Sequence, residues 1–128
     1  MQIDAEKPLN VKTVSLQLQL PPVGSFMILG RVVIHNLMNA AANVRAELTN
    51  NDGQIFDEVR TRVMERQDGS PGSQPISLQA VWFFNSNSTP NIVQLRCYTD
   101  VGYFGYYDAA SLFALQVDGL QAAPVFQP

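Results

Sequence analysis

The chain has 128 residues, which fits a single domain, and 46% of them are hydrophobic, enough for a buried core rather than a disordered chain. Its net charge of −3 and its eight scattered Lys and Arg residues argue against a nucleic-acid interface. No apolar run is long enough to span a membrane, and the polar start MQIDAEKPLN is unlike a signal peptide.

The segment TVSLQLQL (residues 13–20) alternates apolar and polar side chains, which predicts a strand with one buried face. Its apolar positions are Val14, Leu16, Leu18 and Leu20. The other face carries Ser15, Gln17 and Gln19, without the Lys and Glu that strands usually show to water. Only 15% of the chain is charged, and eleven Gln and nine Asn supply much of its polarity. Amides can be covered without the desolvation cost of ions, so this face can pack against a neighbouring subunit or against a sugar, and we expect a subunit interface.

The next segments continue the β pattern. Residues 26–35 (FMILGRVVIH) are apolar on both faces, which fits a strand in the middle of a sandwich. Residues 36–43 (NLMNAAAN) predict a loop, although the three alanines leave a short helix open. Residues 44–49 alternate and lead into NNDG, a strong hairpin signal. Residues 54–64 fit either a strand or a helix, and their β-branched residues favour the strand.

A Gly-, Pro- and Ser-rich loop is predicted over residues 65–75, and three strands follow, around residues 76–84, 93–99 and 111–117. The last of these, SLFALQV, is again apolar on both faces. Seven to eight strands joined by turns predict a single all-β domain over residues 1–128, with short N- and C-terminal arms. The expected architecture is an antiparallel β-sandwich of the jelly-roll kind.

Few residues could support catalysis. His35 is the only histidine and Cys97 the only cysteine, which excludes a site with two His ligands, an internal disulfide and a Cys-based zinc cage. A Ser-His-Asp arrangement would have to use His35, which has no motif around it. Cys97 lies on the apolar side of a predicted strand, where a buried thiol is expected, with a reactive one as the alternative. We therefore expect no enzyme, no catalytic residue, no metal and no cofactor.

Residues 100–108 (DVGYFGYYD) form an unusual aromatic loop in this interpretation. Its candidate ligand-binding residues are Asp100, Tyr103, Phe104, Tyr106, Tyr107 and Asp108. Tyr rings could stack on a sugar while the carboxylates accept hydrogen bonds from its hydroxyls. The alternative is that the aromatic residues cover the end of the sandwich or are buried between subunits.

Three pieces of the last third, ISLQAVWFF, IVQLRCYT and YDAASLFALQVDGL, resemble bacterial jelly-roll domains of the tumour-necrosis-factor and complement type, over roughly residues 76–120. Domains of that family are trimers. The resemblance implies that the run AASLFALQV lies in the core of a homotrimer. Some bacterial relatives are lectins with their sugar site between protomers, so a glycan is a further implied partner. No sugar-binding residue of that family aligns with this chain, and none is assigned.

These observations favour a non-enzymatic structural or interaction module: an oligomeric β-sandwich in a larger assembly, such as a virion or a surface appendage. The alternative function is a carbohydrate-binding lectin that uses the aromatic loop. Because no signal peptide is visible, we expect synthesis in the cytoplasm and action in a virion or an extracellular surface assembly, in contact with the other chains of that assembly.

Overall fold

The computed structural model of the chain describes residues 2–3, 7–9, 13–50, 53–85, 91–99 and 105–117. These residues form nine strands, which in chain order are β1 (Gln2–Ile3), β2 (Lys7–Leu9), β3 (Thr13–Leu20), β4 (Val23–Asn36), β5 (Ala42–Asn50), β6 (Ile55–Val63), β7 (Gly72–Asn85), β8 (Asn91–Thr99) and β9 (Gly105–Val117). None of the described ranges contains a helix that could cross a membrane.

The strands pair like a long antiparallel ribbon that is folded back on itself. Strands β1 and β2 pair with β9, β3 with β8, β4 with β7, and β5 with β6. Because β9 also pairs with β4, and β8 with β5, the ribbon rolls into two sheets. Sheet A has the order β1-β9-β4-β7, with β2 also on β9, and sheet B has the order β3-β8-β5-β6. This nested pairing is that of a jelly roll, so the predicted sandwich is confirmed.

The core lies between the sheets and is built from one face of each long strand. Its fully buried members include Ile28 on β4, Leu48 on β5 and Leu95 on β8. Each of these residues is on the face of its strand that points to the other sheet, because successive side chains of a strand point to opposite faces. Cys97 is also fully buried, which agrees with its expected role as a small hydrophobic residue.

The ambiguous segment 54–64 is a strand, because β6 pairs with β5 over nearly its whole length. The NNDG signal marks the turn between them. The side chain of Asn50 accepts a hydrogen bond from the backbone N–H of Gln54 at 2.8 Å, and Gly53 takes a φ of 85° that favours glycine. The hairpin prediction is therefore confirmed.

The connection between β4 and β5 is held by one buried amide. Asn36 is fully buried, and its Nδ2 donates to the carbonyl oxygens of Ala40, Val63 and Met64 at 3.0–3.2 Å. Its Oδ1 accepts the backbone N–H of Met38 at 2.8 Å. These bonds join the bend at residues 38–40 to the end of β6 and the residue that follows it. Residues 37–41 are therefore a loop, as predicted, and the alternative of a short helix is wrong.

Two predicted loop boundaries are wrong. The loop over 65–75 ends early, because Asp68 and Gly69, with φ values of 50° and 79°, form a tight turn and β7 begins at Gly72. Pro75 is accommodated within β7 because that strand lies at the edge of sheet A. The predicted aromatic loop 100–108 also ends early, since β9 begins at Gly105.

The pairing register of β3 shifts near its start. Leu16 pairs with Leu95 and is buried, and Gln17 is exposed, as predicted. Between Val14 and Leu16 the register shifts, so that Val14 pairs with Arg96. The side chain of Val14 lies outside the described residues, and its predicted place on the inner face stays a prediction.

Candidate interaction face

The outer face of sheet A carries exposed apolar side chains where a solvated sheet would carry polar ones. Seven of them project from β4, β7 and β9, and we call them the apolar face: Val23, Met27, Leu29, Val81, Phe83, Phe113 and Leu115. Phe83 and Phe113 are each 52% exposed, and Leu115 is 64% exposed. Soluble antiparallel sheets usually alternate apolar-in and polar-out, so this face departs from the ordinary pattern.

The strand register makes these side chains neighbours. Met27 on the central strand β4 lies opposite Val81 on β7 and opposite Leu115 on β9. Two positions along the strand, Leu29 lies opposite Phe113. Directly opposed residues share a face with Cβ atoms about 5 Å apart, so the apolar face is one contiguous surface.

The apolar face consists of large side chains that are each well exposed. Their exposed fractions run from 40% for Met27 to 64% for Leu115. Contiguous apolar patches of several hundred Å² on a protein surface are characteristic of interaction sites. The apolar face is therefore a candidate interface.

The other end of the same outer face is polar and is organised around the single histidine. His35 on β4 contacts Ser73 on β7 through Nδ1 at 2.7 Å and Asp108 on β9 through Nε2 at 2.8 Å. The ring of Tyr106 stacks on the imidazole at a centroid distance of 4.5 Å. The sequence offered His35 no partner, because Ser73 and Asp108 are 38 and 73 residues away along the chain. The cluster links three adjacent strands across the sheet.

This cluster contains the residue types of a Ser-His-Asp relay, with Asp108 on Nε2 and Ser73 on Nδ1. Acyl transfer also requires a cleft that holds a substrate beside the nucleophile. Three concave pockets of the described surface are lined by other residues. What the geometry supplies directly is a set of hydrogen bonds that fixes the imidazole ring between β7 and β9.

The structure describes only part of the aromatic segment, residues 105–108. Asp100, Tyr103 and Phe104 lie outside the described residues. Tyr107 points into the core and is only 4% exposed, so its ring cannot stack on a ligand in this fold. Tyr106 and Asp108 are half-buried and contact His35. The use of this segment as a ligand site stays a prediction.

The outer face of sheet B is polar. Gln17 and Gln19 are exposed on β3, and the side chain of Ser15 is not among those that the structure describes. Gln17 accepts a long hydrogen bond of 3.5 Å from Gln94 on β8. Gln17 and Gln19 are on the opposite side of the sandwich from the apolar face, and the interface predicted for Ser15, Gln17 and Gln19 stays a prediction.

Beyond the glutamines, sheet B carries a network of charged side chains. Glu58 accepts hydrogen bonds from Arg60 and from Arg45, the latter at 2.8 Å, and these two arginines hold the pKa of the Glu58 carboxyl below its usual range. Burial opposes the charge on Arg45, but the hydrogen bond to Glu58 and the nearby Tyr98, Glu58 and Glu47 together raise the pKa of Arg45. Burial, with Glu47 nearby, raises the pKa of the Tyr98 hydroxyl. Sequence patterns do not reveal this network, because its members come from three separate strands.

Comparison with known proteins gives structural likeness only. No family model and no curated protein matches the sequence. An arabinose-bound α-L-arabinofuranosidase structure is similar with a TM-score of 0.47 and 12% identity, over 89% of this chain and 23% of that chain. The VP2 subviral particle of infectious bursal disease virus is similar with a TM-score of 0.44 and 15% identity, over 91% of this chain and 30% of that chain. The chain thus spans less than a third of either of these proteins.

Proposed function

We propose that this protein is a non-enzymatic, oligomeric β-sandwich whose copies associate through the apolar face. The observation that carries the proposal is the exposure of large apolar side chains on the central strands of sheet A, with Leu115 at 64% and Phe113 at 52%. Leaving this surface in water costs free energy at about 25 cal/mol per Å², and covering it recovers that energy.

The charge pattern supports a second copy of this chain as the occupant. Identical surfaces bring identical charges together, and like charges in an interface cost several kcal/mol. The apolar face has no charged residue, and the positions between its members are held by polar neutral side chains such as Ser25 and Gln79. Arg31 and Asp57, of opposite sign, adjoin Leu29 and Phe113 at the border of the face, and Asp108 lies in the polar end. Copies of the chain can therefore meet over the centre of the apolar face without like-charge repulsion.

A trimer is the proposed stoichiometry, following the resemblance to trimeric jelly-roll domains. That resemblance assigns the last strand to a subunit interface, and Phe113 and Leu115 on β9 are members of the apolar face. A larger assembly, such as a virion or a surface appendage, is the proposed setting. The low charged fraction of 15% supports it, because extensive burial between subunits disfavours charge.

The non-enzymatic part of the proposal is supported by the surroundings of His35. Its three neighbours hold the ring in place, and the pockets described above do not include Ser73 or Asp108. Fixing a ring between three strands is a structural role for this cluster. No contact among the described residues favours a sugar site on the aromatic segment over a structural role for the His35 cluster.

Thiol labelling tests the proposed interface at a single position. In Val81→Cys, the new thiol stands on the apolar face at a site that is 52% exposed in the single chain. We expect its reaction with a maleimide to slow as protein concentration rises, because association buries it. Cys97 is buried and adds no background in the native protein.

Met64→Cys is the matched control, because Met64 is 57% exposed and does not belong to the apolar face. Its labelling rate should be independent of protein concentration. Equal, concentration-independent rates for the two thiols would contradict association through the apolar face.

A further inference from the structure

A second surface, on the opposite side of the sandwich, carries a concentration of positive charge. A concave pocket of about 430 Å³ lies on the outer face of sheet B, and the side chains that matter here are Asn43, Arg45, Arg60, Arg62 and Tyr98. Arg45 lies directly opposite Arg60, and Asn43 opposite Arg62, on the paired strands β5 and β6. Three of the six arginines of an acidic protein therefore line one pocket.

The arginines of this pocket are only partly neutralised. Like charges directly opposite each other on neighbouring strands destabilise a sheet. Glu58 offsets the Arg45–Arg60 pair, since its two oxygens bind the two arginines separately, and Glu47 forms a further ion pair with Arg45 at 3.4 Å. No acidic side chain of the described ranges forms an ion pair with Arg62, so its positive charge stays unmatched in the lining.

The donors of this pocket are also incompletely used. Arg62 is exposed and keeps its guanidinium donors, while Arg60 engages Glu58 through Nε and leaves its terminal nitrogens available. A guanidinium fork matches the geometry of a carboxylate or a sulfate, which it binds in a bidentate manner. Asn43 and Tyr98 also line the pocket, and the Arg45 guanidinium lies over the Tyr98 ring at 5.5 Å from its centroid.

We infer that this pocket binds an anionic sugar, with its carboxylate or sulfate group on Arg60 and Arg62. A volume of about 430 Å³ is more than an inorganic ion fills and lies within the range of about 300–1,000 Å³ for small-molecule sites. The amide of Asn43 can pair with a ring hydroxyl as either donor or acceptor. The inference does not depend on the proposed oligomer, because the pocket and the apolar face are on opposite sheets.

A titration with D-glucuronate, monitored by isothermal titration calorimetry at low ionic strength, tests this inference. We expect saturable binding that weakens as salt is added, and no binding of D-glucose, which has the same ring without the carboxylate. Arg62→Gln should weaken glucuronate binding about tenfold, because it removes a charged hydrogen-bond donor from an exposed position without disturbing the core. Arg31→Gln, on the outer face of sheet A, is the matched control and should bind as the wild type does.

Three results would overturn the inference. The first is the absence of saturable glucuronate binding to the wild-type protein. The second is equal affinity for glucuronate and inorganic sulfate, which would reduce the pocket to a site for a simple anion. The third is an equal loss of binding in Arg31→Gln and Arg62→Gln. A monomeric protein that still binds glucuronate through Arg62 would separate this inference from the proposed oligomer.

Discussion

Leu115→Glu is expected to convert the oligomer into a folded monomer. Burying a Leu side chain contributes about 1.5–3 kcal/mol, and an unpaired carboxylate in an interface costs several kcal/mol more. Because 1.4 kcal/mol corresponds to a factor of ten, the dissociation constant should rise at least about 100-fold. Leu115 is 64% exposed in the single chain, so the substitution leaves the core intact. Sedimentation velocity over a range of concentrations measures the change.

Met64→Glu provides the comparison for this experiment, because Met64 is 57% exposed and lies outside the apolar face. It should sediment as the wild type does, and both variants should melt cooperatively. An unchanged oligomer in Leu115→Glu would show that the apolar face is not the contact between copies.

Asn36→Asp is expected to destabilise the domain by roughly 3–5 kcal/mol, the cost of leaving an uncompensated charge buried. The substitution changes one atom group and no volume. It removes the Nδ2 donor and places a carboxylate against the carbonyl oxygens of Ala40, Val63 and Met64, in a position with no exposure to water. Domains of this size are stable by about 5–15 kcal/mol, so much of the native stability would be lost. Urea denaturation at neutral pH measures the difference.

Gln19→Glu makes the same amide-to-acid change at an exposed position of β3 and should alter stability by less than about 0.5 kcal/mol. If Asn36→Asp unfolded at the same urea concentration as Gln19→Glu, the amide of Asn36 would not hold the β4–β5 connection.

Much of the fold could be predicted from local patterns. Alternation identified β3, β5 and β8, and the NNDG turn set the β5–β6 hairpin, because both signals depend on neighbours in the chain. The errors fell where the sheet overrides a local signal. Pro75 and Gly72 indicated a loop, yet the edge position of β7, a property of the whole sheet, allows both residues in a strand. Similarly, Gly105 indicated a loop but begins β9.

The apolar face had a signal in the sequence with two possible meanings. Residues 26–35 and 111–117 are apolar on both sides, which predicts a strand buried on both faces. The structure shows that the chain itself covers only the inner face, leaving residues such as Met27 and Phe113 exposed. Sequence alone cannot separate burial within a chain from burial between chains, since both favour the same residues.

The polar sites had no such signal. His35 acquires Ser73 and Asp108 only through the order of strands in sheet A, and Arg45 meets Arg60 only through the register of β5 with β6. Partners that are tens of residues apart cannot be matched without the topology. The sequence also did not show that Tyr107 points inward. A bulge near Ala109, where φ is 48°, resets the alternation of inward and outward side chains along β9.

The most direct test of the account is the solution mass of the wild-type chain, measured by light scattering on a sizing column. A single species with three times the mass of the 14.1 kDa chain is the predicted result. A monomer at every concentration, with the apolar face open to water, would contradict it.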